Sequence, residues 1–441
     1  MSVGFEILVC KPVRRLTESV LQAACLMGMS GTCFGQTAAE VLEPGVPGPG
    51  IRNPDDIPNL IQHSNKARES RLEQGIFPGF LQRWSVFKED LDRKAGIKFS
   101  LAYAYVLQGA ASDSRGETGS GGQAEFDFTW ELFGRSEGQK GTIGGKLESR
   151  HKVFNPTAPQ FTAMNAGSIW PGAIGYGVLD IAASQLWYEH QFIGDRVLMR
   201  AGKISPFTLF DYYKYKSPRT GFLGQPQSFT PTIPFPPSAL GIAGGARLEN
   251  GTYVAAGAFD GNGVATRPGF DTLFEHGELF KVAELGWAPD FVFGLEPGQD
   301  YRPGNDDYHL TLWHTDARTS AGRPEGWGFT VSVQKGFGNI VPFARYGYSD
   351  GGATTLKQFA SIGAGFEDVF GYDSDVIGIG LSWGDPFNTA LDPQYVLEAF
   401  YRMQLTPQIA LTPDVQVIVD PATDPASDVL GVFSLRGRIA L

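Results

Sequence analysis

Cysteine is scarce: the chain has three in 441 residues, and Cys10, Cys25 and Cys33 all precede residue 34. The remainder therefore has no disulfide framework, thiol nucleophile or Cys-metal site. No apolar run reaches the ~20 residues a transmembrane helix needs. Basic side chains are outnumbered, 36 against 47, for a net charge of −11. Such a chain is a poor partner for nucleic acid, whose phosphates are bound by Lys and Arg. The six His (His63, His151, His190, His276, His309, His314) are scattered. His309 and His314 lie five apart on an expected strand and so face opposite ways. No nucleophile elbow, P-loop or dinucleotide fingerprint occurs. The acidic runs Asp260-Gly-Asn-Gly263 and Asp420…Asp424…Asp428 lack the spacing of a calcium loop and read as turns. No metal and no cofactor is expected.

Glycine (57), proline (29) and phenylalanine (32) are abundant instead. Gly and Pro without a collagen-like period, plus many aromatics, point to many short strands. Residues 1–35 read as a secretory signal: Lys11, Arg14 and Arg15 precede the apolar run from Ser19 to Ser30, and small residues follow it near Gly35. Residues 36–79 read as an irregular Pro-rich leader, with a polar helix expected over 64–74. In the segment 80–96, Phe80, Trp84, Phe87 and Leu91 form one helical stripe that Gly96 closes. A protein wall is its expected resting place, in the lumen or at the rim.

From residue 97 the period changes from 3.6 to 2. Ile97, Phe99, Leu101, Tyr103, Tyr105 and Leu107 alternate with Lys98, Ser100, Ala102, Ala104 and Gln108. Similar runs occupy 124–132, 327–334, 395–404 and 429–441, and Asn250-Gly251 marks a hairpin turn. Alternation alone fits both a soluble sandwich and a membrane barrel. Three features favour the barrel. Aromatics gather near strand ends, the run to Leu441 can close against the first strand, and tight turns contrast with long segments such as 154–175 and 205–240. Residues 97–441 accommodate roughly fourteen to eighteen strands of ~9–11 residues. The expected fold is thus all-β, a transmembrane antiparallel β-barrel with a short N-terminal helical segment.

Several ordered motifs resemble the carbohydrate-selective porins of the OprB type. Trp84…Leu91…Ile97 followed by Phe99…Tyr103 is similar to the opening of that family. Ala201-Gly-Lys-Ile-Ser-Pro-Phe207, Ile233-Pro-Phe-Pro-Pro-Ser-Ala-Leu-Gly241 and Ala258-Phe-Asp-Gly-Asn262 follow in order. Glu398-Ala-Phe-Tyr-Arg402, Gln404-Leu-Thr-Pro407, Leu411-Thr-Pro-Asp414 and Val417-Ile-Val-Asp-Pro421 close the series. The resemblance runs from about residue 80 onward; the leader lies outside it, and the chain ends on Leu441 where the family usually has Phe. It implies a 16-stranded barrel in the outer membrane of a Gram-negative bacterium, passing monosaccharides such as glucose by diffusion. Small sugars, outer-membrane lipid and the assembly machinery that reads the last strand would be its partners; monomer and trimer both remain open.

A sugar offers hydroxyls and weakly apolar ring faces, so its channel needs paired donors and acceptors. By strand parity the inward candidates are Glu125, Asp127, Glu131, Glu398, Arg402, Arg436 and Arg438, with Glu148, Arg150, Arg200 and Arg345 added. Each of these is equally an ordinary lumen charge paired to another. The segment 205–240, with seven prolines, either folds inward to narrow the pore or forms an external loop. Trp170 and Tyr176 are offered as sugar-stacking rings or as plain surface aromatics. Two further readings stand beside the selective channel. One is a general, unselective porin; the other is a secreted all-β carbohydrate-active enzyme using Glu125 and Asp127, or Glu398, as acids.

Overall fold

Alternation fixes which side chains point in and which point out, and the barrel follows from it. The computed structural model describes residues 53–66, 68–72, 78–134, 139–193, 196–248, 250–288 and 305–441. The expected signal segment lies outside these residues, as does the leader before Asn53. Sixteen antiparallel strands, numbered in chain order, close into a barrel. Closure joins β1 (Ile97–Ser112) to β16 (Val429–Ala440), with Tyr103 opposite Ile439 and Gln108 opposite Ser434. No edge strand is left open, as lipid requires. On β1 the odd positions Leu101 and Leu107 are exposed, while Ala104, Val106 and Gln108 are buried. On β16, Phe433 and Leu435 are exposed while Arg436 and Arg438 are buried. The outer face is therefore apolar and the inner face polar.

The two rims differ. One carries the long connections 153–178 and 205–238; the other carries tight links such as 193–196, 370–371 and 405–408, with 288–306 the exception. Both of these long connections turn back into the lumen. Consequently many phenylalanines do not form an interfacial girdle. Phe210 and Phe235, from the 205–238 loop, pack with Phe259, Phe280 and Trp313 on the inner wall, and Phe222 packs with Phe343 and Phe400. Sequence reading placed this excess of Phe at the membrane interface. Loop residues carry no period, so their burial left no pattern to read.

Two helical segments precede the barrel. Helix α1 (Ile57–Asn65) starts with Pro58 in its first turn and buries Ile57, Leu60 and Ile61. It packs inside the barrel against β1, β2 (Gly116–Phe133) and β3 (Lys140–Lys152). The helix expected over 64–74 is thus displaced toward the N-terminus. Beyond it, Arg71 and Leu72 donate their amides to Gln404 O and Leu405 O, at 3.0 and 2.9 Å, instead of to a helix.

Helix α2 (Pro78–Ala95) lies outside the barrel at the short-turn rim. Trp84 and Phe87 sit 5.4 and 6.2 Å from Phe99, centroid to centroid. Phe99 belongs to the outward face of β1, yet only 7% of it is exposed because this helix covers it. Phe80 and Phe87 remain half exposed beside that apolar wall, so the stripe is suited to the edge of the lipid layer. Since no cysteine follows residue 33, spin labels can be placed cleanly. A label at Phe87→Cys in proteoliposomes is expected to be accessible to oxygen and shielded from a water-soluble nickel reagent. A label at Gln82→Cys should show the reverse, and equal water accessibility at both sites would place the helix away from lipid.

Candidate functional site: a constricted lumen

The polar inner face of each strand supplies the site, and inward loops supply its partners. The 205–238 loop joins β5 (Val197–Ile204) to β6 (Ala239–Arg247). It crosses the lumen and is tied to walls on several sides. The Asp211 amide donates to Glu284 Oε2 at 2.6 Å, and Arg345 Nη2 donates to Asp211 Oδ2 at 2.8 Å. The Lys214 amide donates to Gln334 Oε1 at 2.8 Å. Opposite, Arg436 donates to Pro218 O and Gly221 O at 2.7 and 2.9 Å. Glu398 Oε1 accepts from the amides of Leu223 and Gly224 at 2.6 and 3.0 Å. Glycine on the wall makes room: a Cβ at Gly365 would overlap the Tyr215 ring, and one at Gly347 would overlap the Thr232 hydroxyl. Of the two readings for this segment, the inward fold is the one observed.

The second inward connection, 153–178, carries helix α3 (Pro159–Asn165). Gln416 Nε2 donates to Gly172 O at 2.7 Å. Trp170 and Tyr176 are both buried in protein. Trp170 sits over Gly384, and the Tyr176 hydroxyl donates to Pro218 O at 3.4 Å. Neither ring is a surface aromatic and neither presents an open face for stacking.

The third element is the leader itself. Asn53 Nδ2 donates to Phe207 O at 2.9 Å. Asp55 Oδ1 accepts from Ser217 Oγ at 2.6 Å and from Arg219 Nη1 at 3.0 Å. Asp56 takes a two-pronged contact from Arg200, at 2.7 and 3.0 Å. Arg200 also donates to Glu189 Oε2 from Nε at 2.9 Å, and its guanidinium lies 3.8 Å from the Trp187 ring centroid. The leader therefore enters the lumen and grips both the wall and the constricting loop. Burial pushes the Asp56 carboxyl above its ordinary value, although Arg200 opposes that shift.

The expected site residues fall into distinct groups. Glu125 accepts from Arg219 Nε at 2.7 Å and from Lys146 Nζ at 2.8 Å, and Lys146 also reaches Asp127 at 3.1 Å. Glu148 pairs with Arg150 at 2.9 Å. Glu131 sits toward the short-turn rim with Lys140 and Lys98, at 2.7 and 3.1 Å. Arg200 and Arg345 are held as described above. Arg402 donates to Thr220 O and Ser374 O at 3.2 and 3.3 Å, and Arg438 to Ser64 Oγ at 3.3 Å. Glu125 and Asp127 share one lysine and so are not a free acid pair.

Sequence reasoning missed Asp55, Asp56, Lys146, Glu189, Asp211, Arg219 and His309. Parity could have supplied Lys146, which shares a strand face with Glu148, whereas Glu189 and His309 lie on strands from which no residue was chosen. The others lie off the strands and had no period to reveal them.

Asp211 illustrates how firmly the loop is held. Burial alone would raise its carboxyl, but Arg345 and the His309 imidazole, whose Nε2 lies 3.6 Å from Asp211 Oδ1, outweigh that and hold it at about 2. A depressed folded value contributes stability above the ordinary 3.8 and loses it as pH falls through about 2. This anchor is therefore expected to be indifferent to pH between 7 and about 5. Limited proteolysis of the loop in detergent should give the same pattern across that range, and new cleavage appearing toward pH 5 would contradict the assignment.

Comparison with known proteins places this geometry. Residues 123–440 match the family model described as carbohydrate-selective porin, OprB family. Porin AaxA of Chlamydia muridarum is 23% identical over 288 residues, which cover 64% of this chain and 59% of that protein. The alignment thus spans less than two thirds of that relative. The high-pH structure of Pseudomonas putida OprB superposes with a TM-score of 0.60 at 13% identity, covering 85% of this chain and 99% of that one. The low-pH structure of the same protein gives 0.50 at 14% identity, with 85% and 100% covered. Those two likenesses concern the fold, whereas the family match covers more than half of the chain and includes most of the barrel. A closed sixteen-stranded barrel, a loop drawn across its lumen and this match together make the chain a member of the carbohydrate-selective porin family of the OprB type.

Proposed function

We propose that this protein passes monosaccharides such as glucose by passive diffusion across the outer membrane of a Gram-negative bacterium into the periplasm. The family and fold are those of channels, so no covalent step is required. The observation that carries the reading is the 205–238 loop, tied to opposite walls by Glu284 and Arg436. A loop fixed in this way narrows the lumen, and a narrow lumen selects small solutes. Glu125, Asp127, Glu148, Arg402, Arg436 and Arg438, with Arg219 from the loop, are our candidates for the lining. Most of the acids are matched by cations, which keeps the field low while offering donors and acceptors to hydroxyls. Binding weak enough to release the solute then favours sugars over inert solutes of equal size.

A planar-bilayer recording tests this reading. Glucose is expected to reduce the ion current in a saturable way, and a disaccharide to do so less. A current insensitive to any sugar would favour a general porin.

A further inference from the structure

The ladder that closes the barrel stops short of the end of β1. Leu101 and Leu441 exchange both backbone bonds, at 3.0 and 2.8 Å. Below that pair, residues 97–100 of β1 keep their partners on β2, but among the described residues they have none on β16. Backbone groups of alternate residues point the same way, so Phe99 turns its carbonyl to the side where Leu101 meets Leu441. A bare strand edge leaves such groups unpaired and is a template for unwanted pairing.

Residues 64–72 cover that side. Asn65 Nδ2 donates to Phe99 O at 3.2 Å, where the next ladder bond would fall, and Asn65 Oδ1 accepts from Lys88 Nζ of α2 at 2.7 Å. Arg438 Nη2 of β16 donates to Ser64 Oγ at 3.3 Å. Farther round the wall, Arg68 Nη1 donates to Gln404 Oε1 on β14 (Gln394–Gln404) at 3.2 Å. The Arg71 and Leu72 amides continue onto the link from β14 to β15 (Ile409–Val419). On β13 (Tyr372–Pro386), Val376 stands opposite Arg402 of the lumen, so the alternate residues Asp375 and Tyr401 belong to the outer face. There Arg71 Nη2 lies 2.8 Å from Asp375 Oδ2, which also accepts from Tyr401 Oη at 2.7 Å. The Asp375 side chain has no exposed surface, and the Arg71 guanidinium lies 4.4 Å from the Tyr372 ring centroid. The segment therefore starts inside the wall at the end of α1, crosses the short-turn rim and ends on the outer face of β13, while α2 grips β1 from outside.

We infer that residues 64–72 are a clasp on the β1–β16 seam. They complete the ladder that β16 leaves unfinished and tie the first strand to β16, β14 and β13. The clasp acts on the wall, whatever solute passes through it. Ala102–Ser112 remain paired with Leu430–Ala440 without it, so its loss frees the short-turn end of the seam and not the whole fold.

Hydrogen exchange read by mass spectrometry on the full-length barrel in detergent tests this. The variant N65A/R71Q/D375N removes the Phe99 bond and the outer lock together, and it strands no charge at position 375. Amides of 99–104 and 436–440 are expected to exchange at least about tenfold faster in it, while those of β7 (Thr252–Asp260) and β8 (Leu279–Trp287), across the barrel, keep their rates. Ala102 and Ala440 stand opposite each other next to the bonded Leu101–Leu441 pair, hence at the closer, non-bonded spacing that a disulfide can span. Adding A102C/A440C to the variant and oxidising it should therefore restore slow exchange at the seam. An equal rise on all strands, or no rise at the seam of a folded variant, would overturn the clasp. Should the variant not fold, the unmodified protein decides: its seam amides are expected to exchange as slowly as those of β7 and β8, and a faster seam would overturn the inference.

Discussion

A chain lacking residues 36–72, reconstituted into liposomes, is expected to admit glucose several-fold faster than the full-length chain. The reason is positional. Helix α1 and the residues around it occupy lumen volume, with Ile57 and Ile61 packed in the same cluster as Trp187, Leu209 and Phe210. Asp55 also fastens this segment to the constricting loop through Arg219. Removing it vacates space and frees one edge of the loop. The disaccharide cut-off should relax in the same experiment. Helix α2, β1 and the barrel remain in this deletion, so heat-modifiable gel mobility should persist and serve as the folding control. Unchanged or slower glucose entry through a folded barrel would show that the segment does not limit passage.

Replacing Arg200 with Met is expected to be the most destabilising single change in the lumen. Arg200 has essentially no exposed side-chain surface, and its partners Asp56 and Glu189 are buried with it. The substitution leaves two buried carboxylates facing each other without a cation, a loss of about 3–5 kcal/mol by analogy with other broken buried pairs. The stacking of the guanidinium on Trp187 is lost as well. The temperature at which the folded gel band disappears should fall clearly. Adding Asp56→Asn and Glu189→Gln to the same chain should recover a large part of the loss, because the stranded charges are then gone. A single variant as heat-resistant as the parent would mean that water reaches Asp56 and Glu189 and screens them.

Much of the wall could be read from the sequence, because strand parity is a local property. A period of two assigns Glu125, Asp127, Glu148, Glu398, Arg436 and Arg438 to the inner face without knowledge of their neighbours. It cannot say what lies across from them. Glu125 meets Arg219, which is 94 positions away in a loop of no period, and Asp56 meets Arg200, which is 144 positions away. The leader looked irregular because its stability comes from the barrel around it: α1 exposes backbone and side chains to partners that its own sequence does not contain. The same holds for the aromatics. Phe280 and Trp313 can be seen as strand residues, but the loop rings that cover them, Phe210 and Phe235, follow no period that would announce the contact. Composition suggested a girdle, whereas the structure divides the aromatics between exposed strand-end rings such as Trp130, Phe133 and Trp287 and rings packed under the loops.

The most direct measurement is the initial swelling rate of liposomes holding the full-length protein, taken with glucose, a disaccharide and a size-matched neutral amino acid. The account predicts glucose fastest, the amino acid slower despite its equal size, and the disaccharide slowest. Equal rates for glucose and the size-matched amino acid would contradict it and leave a channel that sorts solutes by size alone.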